Sequence, residues 1–235
     1  MMNIIVTGAS RGIGFEIVKA FSREKESTII AISRNKERLK NLKTECLSLN
    51  SGSNIFPLSF DLEKDSVKSV IKEDISQYFS TVDILINNAG VLINKPFENL
   101  SDKDFDKLFD VNVKSIFRLV QALLPMFKSN SHIINISSMG GFQGSAKFPG
   151  LSLYSASKGA LAVLSECMAE EFTDRQIKVN SLALGAVQTE MLEQAFPGYK
   201  APVSPVEMAK FIKDFAINGH KFFNGKVLPV SLSKP

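Results

Sequence analysis

The sequence is poor in cysteine and histidine, with two of each, and it has no long uninterrupted apolar run. Cys46 and Cys167 have no His or second Cys at metal-ligand spacing, so we expect two small buried side chains and no metal site. So few cysteines fit a reducing cytoplasm better than a disulfide scaffold. The apolar stretch at 160–169 has about half of the roughly 20 residues that a membrane helix needs. We therefore expect a cytoplasmic protein without a membrane span.

Positive charge is in slight excess, with a net charge of +4, but no long basic run occurs. The densest group, at 36–45, interleaves lysine and arginine with glutamate, which is typical of a solvated helix face. This pattern argues against a nucleic-acid partner. A mild positive field favours a polyanionic cofactor, although this is weak support by itself.

The order of apolar and amphipathic segments indicates the fold. The length of 235 residues predicts a single domain, 1–235. Short β-branched runs alternate with helix-length segments, so we expect an α/β fold, a doubly wound parallel sheet (Rossmann fold) of about seven strands with helices on both faces. Strands are expected near 3–7, 28–32, 55–60, 82–86, 132–137, 177–183 and 226–230, and helices near 12–24, 35–48, 64–79, 101–128, 154–174 and 205–217.

Three local features refine this expectation. Pro57 lies inside the third strand, and proline is tolerated there at an edge, which is the third strand's place in the order 3-2-1-4-5-6. Residues 3–6 already have the pattern of a strand with no charged segment before them, so no signal peptide is expected. The longest irregular stretches are expected at 139–153 and 192–204, and long loops in compact domains are often functional.

A glycine-rich turn follows the first strand and leads directly into an amphipathic helix. Its sequence is Thr7-Gly8-Ala9-Ser10-Arg11-Gly12-Ile13-Gly14. Glycines let a backbone turn sharply and approach a phosphate, and the next helix directs free N–H groups at the anion. The spacing is G-x-x-x-G-x-G, unlike the G-x-G-x-x-G fingerprint, so an ordinary glycine loop is the alternative.

The residue about 20 positions beyond the glycines separates NAD from NADP(H). Arg34 stands there, in a turn that contains no acid, and Arg11 lies inside the glycine turn. Arginine grips phosphate through a bidentate fork, so the pair predicts NADP(H). A solvated Arg34 at the start of a helix is the alternative interpretation.

Tyr154 and Lys158 stand four residues apart on a predicted helix. Residues at this spacing share a face, and a nearby ammonium typically lowers a phenol pKa. We therefore expect Lys158 to lower the pKa of Tyr154 and fit it for proton transfer, with a positively charged nicotinamide adding to the effect. An ordinary surface pair is the alternative, because Y-x-x-x-K is common by chance.

Together these motifs resemble the short-chain dehydrogenase/reductase (SDR) family, of the NADP(H)-preferring carbonyl reductase type, over essentially the whole chain. The resemblance includes the N-N-A-G motif at 87–90, after the fourth strand. It implies a catalytic tetrad of Asn112, Ser138, Tyr154 and Lys158. It implies that the cofactor is bound by Gly8, Ser10, Arg11, Gly12, Ile13, Gly14, Arg34, Asp61, Leu62, Asn88, Ala89, Gly90, Tyr154, Lys158, Val187 and Thr189.

The resemblance also implies a role for each member of the tetrad. Tyr154 exchanges a proton with the carbonyl or alcohol oxygen, and Ser138 hydrogen-bonds that oxygen. Lys158 lowers the pKa of Tyr154 and holds the nicotinamide ribose. Asn112 anchors a water that connects Lys158 to solvent. The expected function is NADP(H)-dependent interconversion of a carbonyl and an alcohol; a non-catalytic NADP(H)-sensing protein on the same fold is the alternative.

Several positions depart from the family pattern. Leu184-Gly185 replaces Pro-Gly, 230–233 replaces D-G-G, and 191–205 is shorter than many substrate lids. His132 and His220 match no catalytic position, so we expect them to be structural.

Two expectations concern partners. The helix at 154–174 is apolar around much of its circumference, which indicates burial on two sides. The resemblance implies that the second side meets another subunit, so a homodimer or homotetramer is expected. The substrate is expected to be a small-molecule carbonyl or alcohol of unspecified class. The loop at 139–153, with Phe142 and Phe148, is expected to supply most of the enclosure around a bulky apolar substrate.

Overall fold

The computed structural model describes residues 2–24, 26–63, 67 and 74–232. Seven strands pair in parallel in the order β3-β2-β1-β4-β5-β6-β7. These are β1 (Met2–Thr7), β2 (Ser27–Ser33), β3 (Asn54–Ser59), β4 (Val82–Asn87), β5 (Phe127–Ser138), β6 (Lys178–Leu184) and β7 (Lys226–Val230). The α-helices in the described part are α1 (Gly12–Ser22), α2 (Lys36–Leu49), α3 (Asp102–Phe109), α4 (Ser115–Leu123), α5 (Ser152–Glu171), α6 (Glu190–Ala195) and α7 (Pro205–Asn218).

Successive side chains of a strand point to opposite faces of the sheet, and here both faces are buried under helices. Ile4 and Val6 of β1 pack in one apolar layer with residues of α1, α2 and α7. Ile5 packs in the other layer with residues of α4 and α5. The predicted doubly wound fold and its edge strand are confirmed, since β3, which carries Pro57, ends the sheet.

The predicted helix at 101–128 was wrong as one continuous element. Helix α3 ends at Phe109, a π-helical turn spans Asp110–Lys114, and α4 ends at Leu123. Pro125 has no N–H to continue the ladder, so a short 3-10 turn at Leu124–Met126 leads into β5. Strand β5 therefore begins at Phe127, earlier than expected from the polar residues that follow it.

Other departures are smaller. The stretch at 192–204 was expected to be irregular, but α6 extends into it because the Thr189 side chain caps the helix by accepting a hydrogen bond from the Leu192 N–H. Cys46 is buried as expected, whereas Cys167 is exposed on α5. The predicted helix at 64–79 falls largely on residues outside the described part. Across the described ranges, no helix is both long enough and apolar enough to cross a bilayer.

His132 joins the sheet to α7 and is 1% exposed. Its Nδ1 lies 3.0 Å from the Ala216 carbonyl, which can only accept, so Nδ1 carries the proton. Its Nε2 then accepts from the Asn180 amide at 3.0 Å. Burial lowers the pKa of His132 to about 4. The expectation of a structural role is consistent with these contacts.

We expect acid to destabilise the fold through His132. Between about pH 6.5 and the folded-state pKa of about 4, the unfolded chain binds a proton that the native chain does not. The free energy of unfolding therefore decreases as the pH is lowered through this range. Each pH unit costs about 1.4 kcal/mol. Urea unfolding at pH 7 and pH 5 should show wild type losing about 2 kcal/mol more than His132→Gln. Equal losses in both proteins would contradict this assignment.

Candidate active site

The glycine turn between β1 and α1 is shaped by close contacts with the loop after β4. Gly8 and Gly12 have φ values of +68° and +58°, in the left-handed region that favours glycine. Gly14 has no room for a side chain, because a Cβ there would clash with the Gly8 carbonyl and the Asn88 amide. These glycines leave an open cradle of backbone at the N-terminus of α1, as phosphate binding requires.

Thr7 and Asn88 hold this cradle in place. The Asn88 side chain donates to the carbonyls of Thr7 and Gly8, at 3.1 and 3.3 Å. The Thr7 hydroxyl accepts from the backbone N–H groups of Asn88 and Ala89, both at 3.0 Å. The carboxyl ends of β1 and β4 are thereby locked together where the strand order reverses, the usual ligand site of such sheets.

Positive side chains gather near the carboxyl end of β2. The Ser33 hydroxyl donates to Ser10 at 2.7 Å and joins that end to the glycine turn. The Arg34 side chain is exposed and has no hydrogen bond or ion pair within the described residues. Arg11 and Arg38 both bind the Glu190 carboxylate, at 3.0 and 3.1 Å.

Sequence reasoning missed Arg38 and Glu190. Arg38 lies in the first turn of α2, directly after the turn that carries Arg34, so its nearness to this cluster was detectable. The presence of Glu190 in the cluster was not detectable, because this residue lies 152 positions away from Arg38 in the sequence.

Tyr154 lies in the first turn of α5 and faces the end of β5. Burial raises the pKa of its phenol, and a hydrogen bond with Ser138 opposes the rise only in part. The expected lowering of this pKa by Lys158 was therefore wrong for the protein alone. The Tyr154 phenol is therefore protonated at neutral pH in the protein alone.

Lys158 is 4% exposed, and its ammonium points towards the sheet. Its Nζ donates to the Ile136 carbonyl at 2.8 Å. Burial lowers the pKa of Lys158 to about 8, so most of the population still carries a charge at pH 7. The direction of the ammonium explains why the four-residue spacing alone did not predict the pKa of Tyr154.

Asn112 lies in the π-helical turn and is fully buried. Its amide donates to the Val91 carbonyl and the Ser157 hydroxyl, both at 3.0 Å, and accepts from the Val91 N–H at 2.9 Å. Both amide N–H groups are therefore used within the protein. A Cβ on Gly90 would lie 3.2 Å from the Asn112 amide oxygen and 3.4 Å from Lys158 Nζ, so Gly90 allows these groups to approach.

Residues 185–203 form a lid over this region. Gly185 is fixed to β7 by a hydrogen bond from its N–H to the Val230 carbonyl, at 2.9 Å. Val187 pairs with Val203 in a short bridge. A Cβ on Gly12 would lie 3.4 Å from the Thr189 methyl group, so the lid rests on the glycine turn.

The C-terminal end of the lid helix α6 is fixed by Asn94, which sequence reasoning also missed. Its amide donates to the Ala195 carbonyl at 2.8 Å. Its oxygen lies so close to Gly150 that a Cβ there would clash. The Lys95 N–H donates to the Gly150 carbonyl at 3.0 Å. The lid, the loop after β4 and the loop before α5 thus meet at one point.

These parts line one cleft of about 730 Å³. Every predicted site residue lines it except Gly14, which packs beneath the turn, and Asn112, which lies behind Gly90. Phe148 lines the cleft and Phe142 does not, so the loop at 139–153 contributes less than expected. The 139–153 loop adds Met139 and Leu151, and further apolar lining comes from the lid and from the loop after β4, through Met191, Leu192, Phe196, Tyr199 and Leu92.

Comparison with known proteins places this arrangement in a family. A 3-oxoacyl-[acyl-carrier-protein] reductase (FabG) of Thermotoga maritima is 33% identical over 192 residues, which is 81% of this chain and 76% of that protein. A protein of the same name from Chlamydia trachomatis is 30% identical, over 96% of this chain and 94% of that protein.

Solved structures give the same result. A dehydrogenase/reductase from Sinorhizobium meliloti matches with a TM-score of 0.86 and 28% identity, covering 98% of this chain and 93% of that chain. The family model for short chain dehydrogenase matches residues 2–200. This chain therefore belongs to the short-chain dehydrogenase family, enzymes of oxidoreduction that bind nicotinamide dinucleotides.

Proposed function

We propose that this protein is an NADP(H)-dependent carbonyl reductase that acts on 3-oxoacyl thioesters. One observation carries the proposal: Tyr154, Ser138 and Lys158 meet at one end of a cleft whose other end is the glycine turn and its arginines. A dinucleotide that spans this cleft has its phosphates at the turn and its reactive ring near Tyr154. Asn112 acts as a positioning residue that supports the loop beside Lys158.

The chain fits the cofactor at each of its groups. The cradle at Gly8, Gly12 and Gly14 accommodates a pyrophosphate because side chains are excluded there. Arg11 and Arg34 suit a 2′-phosphate, and the turn directly after β2, at 33–36, contains no acid that could hold a free ribose hydroxyl. Remaining contacts fall to Ser10, Ile13, Asp61, Leu62, Asn88, Ala89, Gly90, Lys158, Val187 and Thr189.

The reaction needs one proton at the carbonyl oxygen, while the bound nicotinamide supplies a hydride to the carbonyl carbon. Tyr154 donates that proton, because its phenol is protonated at neutral pH and faces the reactive end of the cleft. Ser138 hydrogen-bonds the same oxygen and fixes its position. Lys158 lines the cleft and is mostly charged at neutral pH, so its ammonium would hold the nicotinamide ribose by hydrogen bonding.

Two observations support a 3-oxoacyl thioester as substrate. The relatives that are 33% and 30% identical carry the name of reductases for that class. The outer part of the cleft is apolar, with Phe148, Met191 and Phe196 among its lining residues, as an acyl chain requires.

We also propose that the enzyme is a homodimer or homotetramer. Leu161 and Met168 of α5 face the core, while the opposite face exposes Val163 at 58%. Phe117 of α4 is 46% exposed, and together with Leu164, the residue after Val163, it lines an apolar groove. A second copy of the chain would cover this continuous apolar face.

Tyr154→Phe should abolish turnover but keep cofactor binding, because only the proton donor is lost. We expect kcat for a 3-oxoacyl thioester to fall by roughly 10²–10⁴-fold. The NADPH dissociation constant, measured by fluorescence titration, should stay close to that of wild type. Tyr78→Phe, which changes a tyrosine stacked on Phe56, is the matched control. Unchanged turnover in Tyr154→Phe would refute the catalytic role, and a wild type that binds NADPH without turnover of any carbonyl would favour the sensing alternative.

Arg34→Asp should reverse the cofactor preference. The substitution removes a cation and adds an acid that can accept from a ribose hydroxyl, so NADPH should bind at least about tenfold more weakly and NADH more tightly. Titration of both cofactors tests this. Arg23→Asp makes the same charge change at the far end of α1 and should leave the preference intact. A wild type that favours NADH would contradict the proposed NADP(H) dependence.

Phe148→Ala should impair bulky substrates selectively. Phe148 is 56% exposed and lines the cleft, so its loss should raise KM roughly tenfold for a long 3-oxoacyl thioester and little for a small aldehyde. The melting temperature of Phe148→Ala should equal that of wild type. Phe142→Ala, outside the cleft lining, should lower the melting temperature and affect both substrates alike. Equal losses for both substrates in Phe148→Ala would indicate packing instead of substrate contact.

A further inference from the structure

Glu190 occupies an unusual place at the mouth of the cleft. It is the first residue of α6, and its carboxylate binds two arginines from different parts of the fold. Arg11 caps the start of α1, at 3.0 Å from the carboxylate, and Arg38 belongs to α2, at 3.1 Å. The Arg11 guanidinium lies where the proposed function places the cofactor's 2′-phosphate, and Arg38 shares the same carboxylate from outside the cleft lining. The acidic lid residue therefore uses the donors that the phosphate needs.

The carboxylate is charged in the native protein. Hydrogen bonds from Arg11 and Arg38 hold the pKa of Glu190 below its usual range. Its side chain is 49% exposed, so each ion pair is weak and exchangeable rather than locked. Such a carboxylate can be displaced by a stronger anion without loss of the fold.

A phosphate monoester is such an anion. It carries up to two negative charges and three acceptor oxygens, and it pairs with arginine in a bidentate fork. If Glu190 stayed on the same guanidinium groups, two anions would face each other at close range, which is repulsive. Phosphate and carboxylate therefore compete for Arg11 and Arg38, while Arg34, which has no ion pair in the described part of the chain, is open to the phosphate alone.

Displacement of Glu190 affects the lid because the two ends of its helix α6 are held by different contacts. The N-terminal end of α6 is tied to the arginines through Glu190. The C-terminal end is tied to Asn94 through the Ala195 carbonyl, at 2.8 Å. Displacement of Glu190 removes the tie between the first turn of α6 and the arginines, while the contact of Thr189 with Gly12 and the bond from Asn94 to Ala195 remain.

We propose that Glu190 is a built-in competitor of the cofactor's 2′-phosphate, and that the phosphate displaces it from Arg11 and Arg38 and thereby loosens the first turn of the lid helix. The proposal rests on the proposed NADP(H) site. It makes Glu190 a specificity-determining residue that weakens phosphate recognition and links it to the lid.

Fragments of the cofactor test this without turnover. Adenosine 2′,5′-bisphosphate carries the 2′-phosphate, and 5′-AMP lacks it. Calorimetric titration of Glu190→Gln should show bisphosphate binding about three- to tenfold more tightly than in wild type, with 5′-AMP unchanged. Glu193→Gln is the matched control, since this acid lies in the same first turn of α6 but contacts Gln188 and Gly198. It should change neither affinity.

Hydrogen exchange gives an independent readout of the lid. In wild type, bisphosphate but not 5′-AMP should speed exchange of the amides in α6, because only the 2′-phosphate displaces Glu190. In Glu190→Gln, the faster exchange should be present before any nucleotide is added.

The proposal is overturned if Glu190→Gln weakens bisphosphate binding, leaves it unchanged, or shifts both nucleotides equally. A failure of the proposed function has a different signature. Wild type would then bind bisphosphate no better than 5′-AMP, which contradicts the NADP(H) preference. The Glu190 proposal would survive that result if Glu190→Gln gained a preference for bisphosphate, and would fall if it did not.

Discussion

The buried ammonium of Lys158 is the constraint on which the candidate active site depends. A charge taken out of water needs a partner, and here the Ile136 carbonyl accepts from it at 2.8 Å. That bond ties α5 to β5, and the two catalytic hydroxyl groups stand on these elements. A glycine at position 90 leaves room for both groups, since a Cβ there would lie 3.2 Å from the Asn112 amide oxygen and 3.4 Å from Lys158 Nζ. The geometry of the reactive end thus follows from accommodating one cation.

At the cofactor end, the polar groups that need partners are backbone N–H and C=O groups instead of a charged side chain. Thr7 and Asn88 satisfy the polar groups at the ends of β1 and β4, so the glycine turn keeps its open shape. Both ends lie at the carboxyl edge of one parallel sheet, where its strand order reverses. The lid spans the distance between them, and its helix α6 is held through Glu190 at one end and by Asn94 at the other.

Much of this could be predicted from the sequence, because strand periodicity and the Thr7–Gly14, Tyr154 and Lys158 motifs are local signals. What failed depends on long-range contacts. Asn94 and Glu190 act on partners about a hundred or more positions away, at separations of 101 and 179. The pKa of Tyr154 was assigned the wrong direction, because residue spacing does not say where a lysine ammonium points. The π-helical turn around Asn112 lies inside a continuous amphipathic pattern, which conceals it.

The central claim is that this cleft brings a nicotinamide and a carbonyl together for hydride transfer. The most direct measurement uses NADPH carrying deuterium at both C4 positions, a 3-oxoacyl thioester, and mass spectrometry of the product. The account predicts a 3-hydroxyacyl product that contains one deuterium on the new carbinol carbon. An alcohol without deuterium, or a saturated NADPH complex that leaves the thioester unreduced, would contradict it.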